Sequence, residues 1–245
     1  MAPRRSVRKR GTLPARSEAA AVLITAAASI VVNRVRPRAQ LPTNLGSAAL
    51  LTWFARREGA SWSDMGMDGR RLWSGVRWGA AASLPIAGAV GLAVALPVSR
   101  RLFVDHEMEE ASPGELLYHT LVRIPLGTAF AEEILFRGAL LGIFERRHSR
   151  RVADAASGVL FGLWHVVPTI DRIRRGSASA VVSEGRPSVA SVGGVVLVTM
   201  AAGYGLAWLR DRSGSIAAPV VAHAALNGLA LLGAWMVSRR RARPS

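Results

Sequence analysis

Glu132 and Glu133 stand side by side in Ala131-Glu132-Glu133-Ile134-Leu135-Phe136-Arg137. That run lies inside Leu116–Phe144, which is otherwise apolar and long enough to cross a membrane. An ionisable side chain in hydrocarbon costs roughly 2.5–3.5 kcal/mol on insertion scales. Three such groups in one short stretch are expected to face a polar cavity and to act there. Two later apolar segments carry one histidine each, His165 and His223, and Asn227 lies four residues beyond the second. The pattern reads as an active site sunk into a bundle of membrane helices.

Helical spacing gives the two carboxylates different work. Glu133 and Arg137 are i and i+4 with the glutamate N-terminal, the favourable order for an ion pair. Glu132 is turned by about 100° from Glu133 and has no partner in the local sequence. It is therefore the candidate general base, a carboxylate poised to take a proton from water. The plain alternative for Glu133 and Arg137 is a buried pair that only fixes packing. Phe161 and His165 share a helix face, and a lone histidine there can simply bond a neighbouring helix. His223 and Asn227, one turn apart, form a plausible pair of donors to an oxyanion. Pro168 and Pro219 break or start helices beside these residues and free backbone groups near them. No His-Glu-x-x-His run and no Gly-x-Ser-x-Gly elbow occurs. His106, His119 and His148 fall in or near loop ends, where exposed histidine is ordinary.

The elements that must position these groups are membrane helices. Half of the 245 residues are hydrophobic, yet the net charge is +16, almost all of it arginine. The arginines cluster between long apolar runs. A nucleic-acid binder would instead spread its basic groups over one soluble face with aromatics interleaved, so no nucleic-acid partner is expected. The chain has no cysteine, which excludes disulfides and thiolate metal sites. Seven hydrophobic segments are predicted: Glu18–Val32, Leu41–Phe54, Val76–Val98, Leu116–Phe144, Val152–Thr169, Val189–Leu209 and Ile216–Val237. The first two are short for full spans. The first also resembles a signal peptide, with Ala26-Ala27-Ala28 as the cleavage site, although an uncleaved helix fits the later spans better.

The fold class is all-α: a polytopic transmembrane bundle of about six to eight helices with a catalytic cavity inside. Residues 1–114 form a basic tail and the first membrane helices. Residues 115–232 form the catalytic domain, and residues 233–245 end the last helix in a basic tail. Positive-inside reasoning puts the N-terminus, the Arg56–Arg77 loop and the Arg146–Arg151 loop in the cytoplasm, and the acidic Asp105–Glu115 loop outside. Seven spans then leave the arginine-rich tail outside, against the rule. Ser112-Pro113-Gly114-Glu115 reads as a capping box that starts the fourth helix. Gly138 with Gly142, and Gly158 with Gly162, are small-xxx-small pairs expected to bring the helices of Glu132 and His165 together. At 1.5 Å per residue, Glu132 and His165 lie about 20 and 18 Å from the same membrane face, and His223 about 10–12 Å.

Glu132-Glu133-x-x-x-Arg137, Phe161-x-x-x-His165 and His223-x-x-x-Asn227 resemble the three motifs of the CAAX protease and bacteriocin-processing family of intramembrane proteases. The run Gly214–His223 resembles that family too, and the likeness covers roughly Glu115–Leu232. The resemblance implies peptide-bond hydrolysis in or at the membrane, on a membrane-associated protein or peptide. Glu132 would activate water with the help of His165, His223 and Asn227 would stabilise the oxyanion, and Glu133 and Arg137 would orient the site. Some descriptions of the family make it a metalloprotease: Glu132, His165 and His223 could hold zinc with an open water position. Direct activation of water by glutamate and histidine fits the sequence equally. Eukaryotic relatives trim prenylated proteins, and bacterial ones are associated with peptide maturation and bacteriocin self-immunity. The arginine-heavy composition points to a bacterial plasma membrane. The competing readings are a non-catalytic membrane scaffold or adaptor and a proton-coupled transporter.

Overall fold

A computed structural model of the chain describes residues 15–35, 39–103, 105, 108, 110–175 and 186–242. The basic residues Arg4–Arg10, His106 and most of the polar loop 177–191 lie outside the described residues. Among the described residues there is no strand, and eight helices form the bundle. They are α1 (Ala15–Ile30), α2 (Gln40–Arg57), α3 (Leu72–Ala95), α4 (residues 113–144), α5 (Arg150–Trp164), α6 (Val166–Arg174), α7 (Val189–Ser213) and α8 (Ala217–Ala242). Among the described residues, four stretches are long and apolar enough to cross a membrane: Ala15–Val35, Gly69–Ala95, Val189–Ser213 and Ala217–Arg240. Their exposed large side chains, such as Leu23, Leu84, Leu197 and Val198, are those of helices that face lipid rather than water.

The capping box forms as read: Ser112 accepts from the Glu115 N–H, and Glu115 accepts from the Ser112 N–H. From there α4 runs as one helix through the centre of the molecule. Pro125 sits inside it, and residues His119–Phe130 and Ile134–Leu140 take the wider i→i+5 hydrogen bonding of a π-helix. Asn44 of α2 is buried and donates to the Gly127 carbonyl at 2.7 Å, which fixes α2 against α4. Leu51, Ala55, Leu135, Phe136, Leu140 and Ile143 then make the core between these two helices.

The predicted segment Val152–Thr169 is two helices, α5 and α6, that meet at His165. The cause is Pro168, whose ring clashes with the carbonyl one turn earlier and whose nitrogen cannot donate. The glycine pairs also differ from expectation. Gly158 and Gly162 pack on α7, where an added Cβ would meet the Met200 and Val196 carbonyl oxygens at 3.0 and 2.8 Å. Gly138 and Gly142 pack on Met65 and Met67 of the loop after α2. Close approach is what the small residues provide, but their partners are α7 and a loop, not each other's helices.

The ends of the bundle sort the loops. Glu18 of α1 meets His148 at 2.8 Å, and the Gly66 carbonyl accepts from the Ile216 N–H, so the 58–71, 145–149 and 213–216 turns share one end. Gly214, at φ +72, closes α7 and lets the chain reverse directly into α8. At the other end Ser238 of α8 bonds the Asp105 carbonyl, and Asp171 pairs with Arg34. The arginine-rich end of α8 therefore lies with Asp105, opposite the two basic loops.

Candidate active site

Arg137 sits in the last third of α4 with no solvent exposure. Its Nη1 donates to Glu133 Oε1 at 3.0 Å, and its Nη2 donates to the Gly203 carbonyl of α7 at 3.2 Å. The guanidinium lies 4.1 Å over the ring of Phe161 from α5. Phe136 stacks edge-on against both Phe161 and Trp164 and closes the cage. Gly203 is required here: a Cβ would stand 3.1 Å from Arg137 Nη2, from Gly158 Cα and from Phe161 Cδ1. Three helices thus converge on one cation.

The same Glu133 oxygen also takes His223 Nδ1 at 2.8 Å. A carboxylate accepts, so Nδ1 carries the proton and turns Nε2 outward. His223 Nε2 faces Glu132 Oε2 at 4.0 Å, too far for a direct hydrogen bond. Both side chains are buried, and Glu132 Oε2, Glu133 Oε2 and Arg137 Nε have no hydrogen-bond partner among the described residues. Three such atoms in one apolar interior call for a further partner, such as an ordered water or a bound substrate group.

His165 stands where α5 ends. Its N–H bonds back to Gly162, so the Phe161 carbonyl, which a regular helix would have used for that N–H, instead accepts from His165 Nδ1 at 2.7 Å. The neutral ring then keeps its lone pair on Nε2. His165 packs on Phe161 at 4.6 Å between ring centroids, and Phe161 packs on His223 at 5.8 Å. No ion pair joins His165 to Glu132, and Asn227, half-buried one turn after His223, makes no hydrogen bond among the described residues. The structure thus links Glu133, Arg137, Phe161 and His223 directly, sets Glu132 beside them, and joins His165 through Phe161.

Sequence reading missed Phe136 and Gly203. An aromatic beside a buried arginine was the available signal for Phe136. Gly203 had none, because its contribution is a backbone carbonyl. The zinc set can be tested on geometry. The donor atoms of Glu132, His165 and His223 do not gather within 4.8 Å of one another. Among the described residues that closeness is reached by Glu145, Asp154 and Asp211. As placed, Glu132 and His223 approach each other to 4.0 Å, and His165 stands apart from them.

A family model, type II CAAX prenyl endopeptidase Rce1-like, matches residues 114–229. That stretch holds α4, α5, α6 and α7 with the first half of α8, and all seven motif residues. Neither the curated proteins nor the solved structures gave a match.

Proposed function

Residues 114–229 belong to the Rce1-like family of CAAX-type endopeptidases, and on that premise we propose that Glu132 and His165 activate the water that cleaves a membrane-associated protein or peptide. Glu132 takes the proton, and His165 offers the Nε2 lone pair that its bond to Phe161 leaves available. Attack on the scissile carbonyl builds an oxyanion. Asn227 donates to it from its amide, and His223 donates from Nε2 when the ring carries both protons, Nδ1–H being held by Glu133. Arg137 fixes Glu133, and Glu133 fixes the imidazole. Glu132 then returns its proton to the leaving amine as the peptide bond breaks.

One observation carries this reading: the Arg137–Glu133–His223 chain ends beside a buried Glu132 whose Oε2 has no hydrogen-bond partner among the described residues. A purely structural network would satisfy that oxygen. The test is cleavage of membrane-associated peptides, prenylated and unprenylated, by protein purified in detergent. Glu132→Gln keeps the shape and removes the base, so turnover is expected to fall by about 10²–10⁴ with unchanged thermal unfolding. Near-normal turnover by a folded Glu132→Gln protein removes Glu132 from the mechanism.

A further inference from the structure

A second polar cluster lies at the end of the bundle that carries the 58–71 loop. Glu145 after α4, Asp154 in α5 and Asp211 near the end of α7 each offer a carboxylate oxygen, and the three oxygens lie within 4.8 Å of one another. Arg210 lies 2.9 Å from Glu145 and 3.2 Å from Asp211, and Arg150 lies 2.9 Å from Asp211. Asp154 is only 5% exposed, yet among the described residues no ion pair reaches it, and its buried Oδ1 has no hydrogen-bond partner there. A buried carboxylate oxygen left in that state calls for a bound ion, a proton or an ordered water. Beside the cluster, a cavity of about 20 Å³ is lined by Glu145 and Asp211 but not by Asp154, with room for one water or ion.

We propose that Glu145, Asp154 and Asp211 bind one hard divalent cation, of the magnesium or calcium class, that clamps the ends of α4, α5 and α7. The donors are all oxygen, which suits such ions rather than zinc. Two oxygens bound to one calcium ion, each at about 2.3–2.6 Å, lie at most about 4.6–5.2 Å apart, so oxygens within 4.8 Å of one another can share such an ion. The charge also balances. Arg150 is 55% exposed and can turn into solvent, whereas Arg210 is 5% exposed and stays. Three carboxylates then face one guanidinium, which leaves the charge of one divalent ion to be neutralised.

The clamped helices are those that meet at Arg137. α4 carries it, α5 supplies Phe161, and α7 supplies the Gly203 carbonyl. Asp154 and Phe161 are two turns apart on one helix, about 10 Å. A cation at this end therefore holds the crossing that positions Glu133 and His223. It also means that loss of activity on chelation does not by itself locate a metal at Glu132. The site stands independently of the protease reading.

The test uses the full chain in detergent, stripped with EDTA and titrated with Mn²⁺, whose electron paramagnetic resonance signal reports the free ion. One Mn²⁺ per chain is expected, displaced by Mg²⁺ or Ca²⁺, and either ion should raise the unfolding temperature. Asp154→Asn should weaken Mn²⁺ binding by more than the ~10–100-fold that loss of an outer-shell partner causes. Arg150→Gln removes a competing cation and should tighten binding, while Glu132→Gln should leave it unchanged. Absence of Mn²⁺ binding in both the wild type and Arg150→Gln overturns the site, and so does binding that Glu132→Gln abolishes and Asp154→Asn retains. Stabilisation by Asp154→Asn without any cation binding would assign a proton to Asp154 and also overturn it. If Asp154→Asn does not fold, the Arg150→Gln titration still decides.

Discussion

Removing the Arg137 side chain strands Glu133, which is fully buried and shares one oxygen between Arg137 and His223. Breaking a buried ion pair from one side costs about 3–5 kcal/mol. Arg137→Ala is therefore expected to lower the unfolding temperature sharply and abolish cleavage at the same time. Asn227→Ala should behave differently. Asn227 makes no hydrogen bond in the described structure, so its loss should spare folding and remove only about 2.7–4 kcal/mol of transition-state stabilisation. Thermal unfolding in detergent, measured beside peptide cleavage, separates the two. Equal instability in both variants would favour the scaffold reading, in which His223 and Asn227 only pack. The ion pair was legible because i, i+4 spacing fixes it within one helix. The bond from His223 to Glu133 was not, because the spacing of residues ninety positions apart depends on how α8 docks.

At the scale of elements, the sequence marked where helices start and stop better than what they touch. Ser112-Pro113-Gly114-Glu115 and Pro168 act locally, so a capping box and a helix break follow from neighbours alone. The small-residue pairs announce a close approach without naming the partner, and the partner of Gly158 and Gly162 is α7. That crossing can be tested with two glycines. Gly162→Ala would put a Cβ 2.8 Å from the Val196 carbonyl oxygen, and overpacking of this kind costs about 1–3 kcal/mol. Gly205, on α7, has nothing within 4 Å of an added Cβ, so Gly205→Ala should be neutral or stabilise by up to about 1 kcal/mol. Unfolding temperatures that move together for the two substitutions would mean that α5 and α7 do not cross at these residues.

For the molecule as a whole, the seven hydrophobic segments correspond to helices of the bundle. The end of α8 that carries Arg239 and Arg240 lies beside Asp105, opposite the two basic loops, so the arginine-rich tail stands as the exception to the positive-inside pattern. The sequence left this open because Leu41–Phe54 is short and weakly apolar, and its membrane depth depends on Asn44 and the α4 face it packs on. What makes the bundle a membrane protein is its outer surface, and α3 offers a test in which depth alone changes. Leu84 and Leu72 are both exposed leucines on α3, one near the middle of the Gly69–Ala95 span and one near its end beside Arg70 and Arg71. In water, an arginine at either place would change stability by about 0.5 kcal/mol or less. In lipid, Leu84→Arg should cost roughly 3 kcal/mol of insertion energy. Leu72→Arg should cost little, because its head can snorkel to the interface. The fraction of α3 inserted in a microsomal glycosylation assay should fall for Leu84→Arg and stay near wild type for Leu72→Arg. Equal insertion of both variants would mean that the exposed face of α3 does not meet lipid, and that another surface covers it.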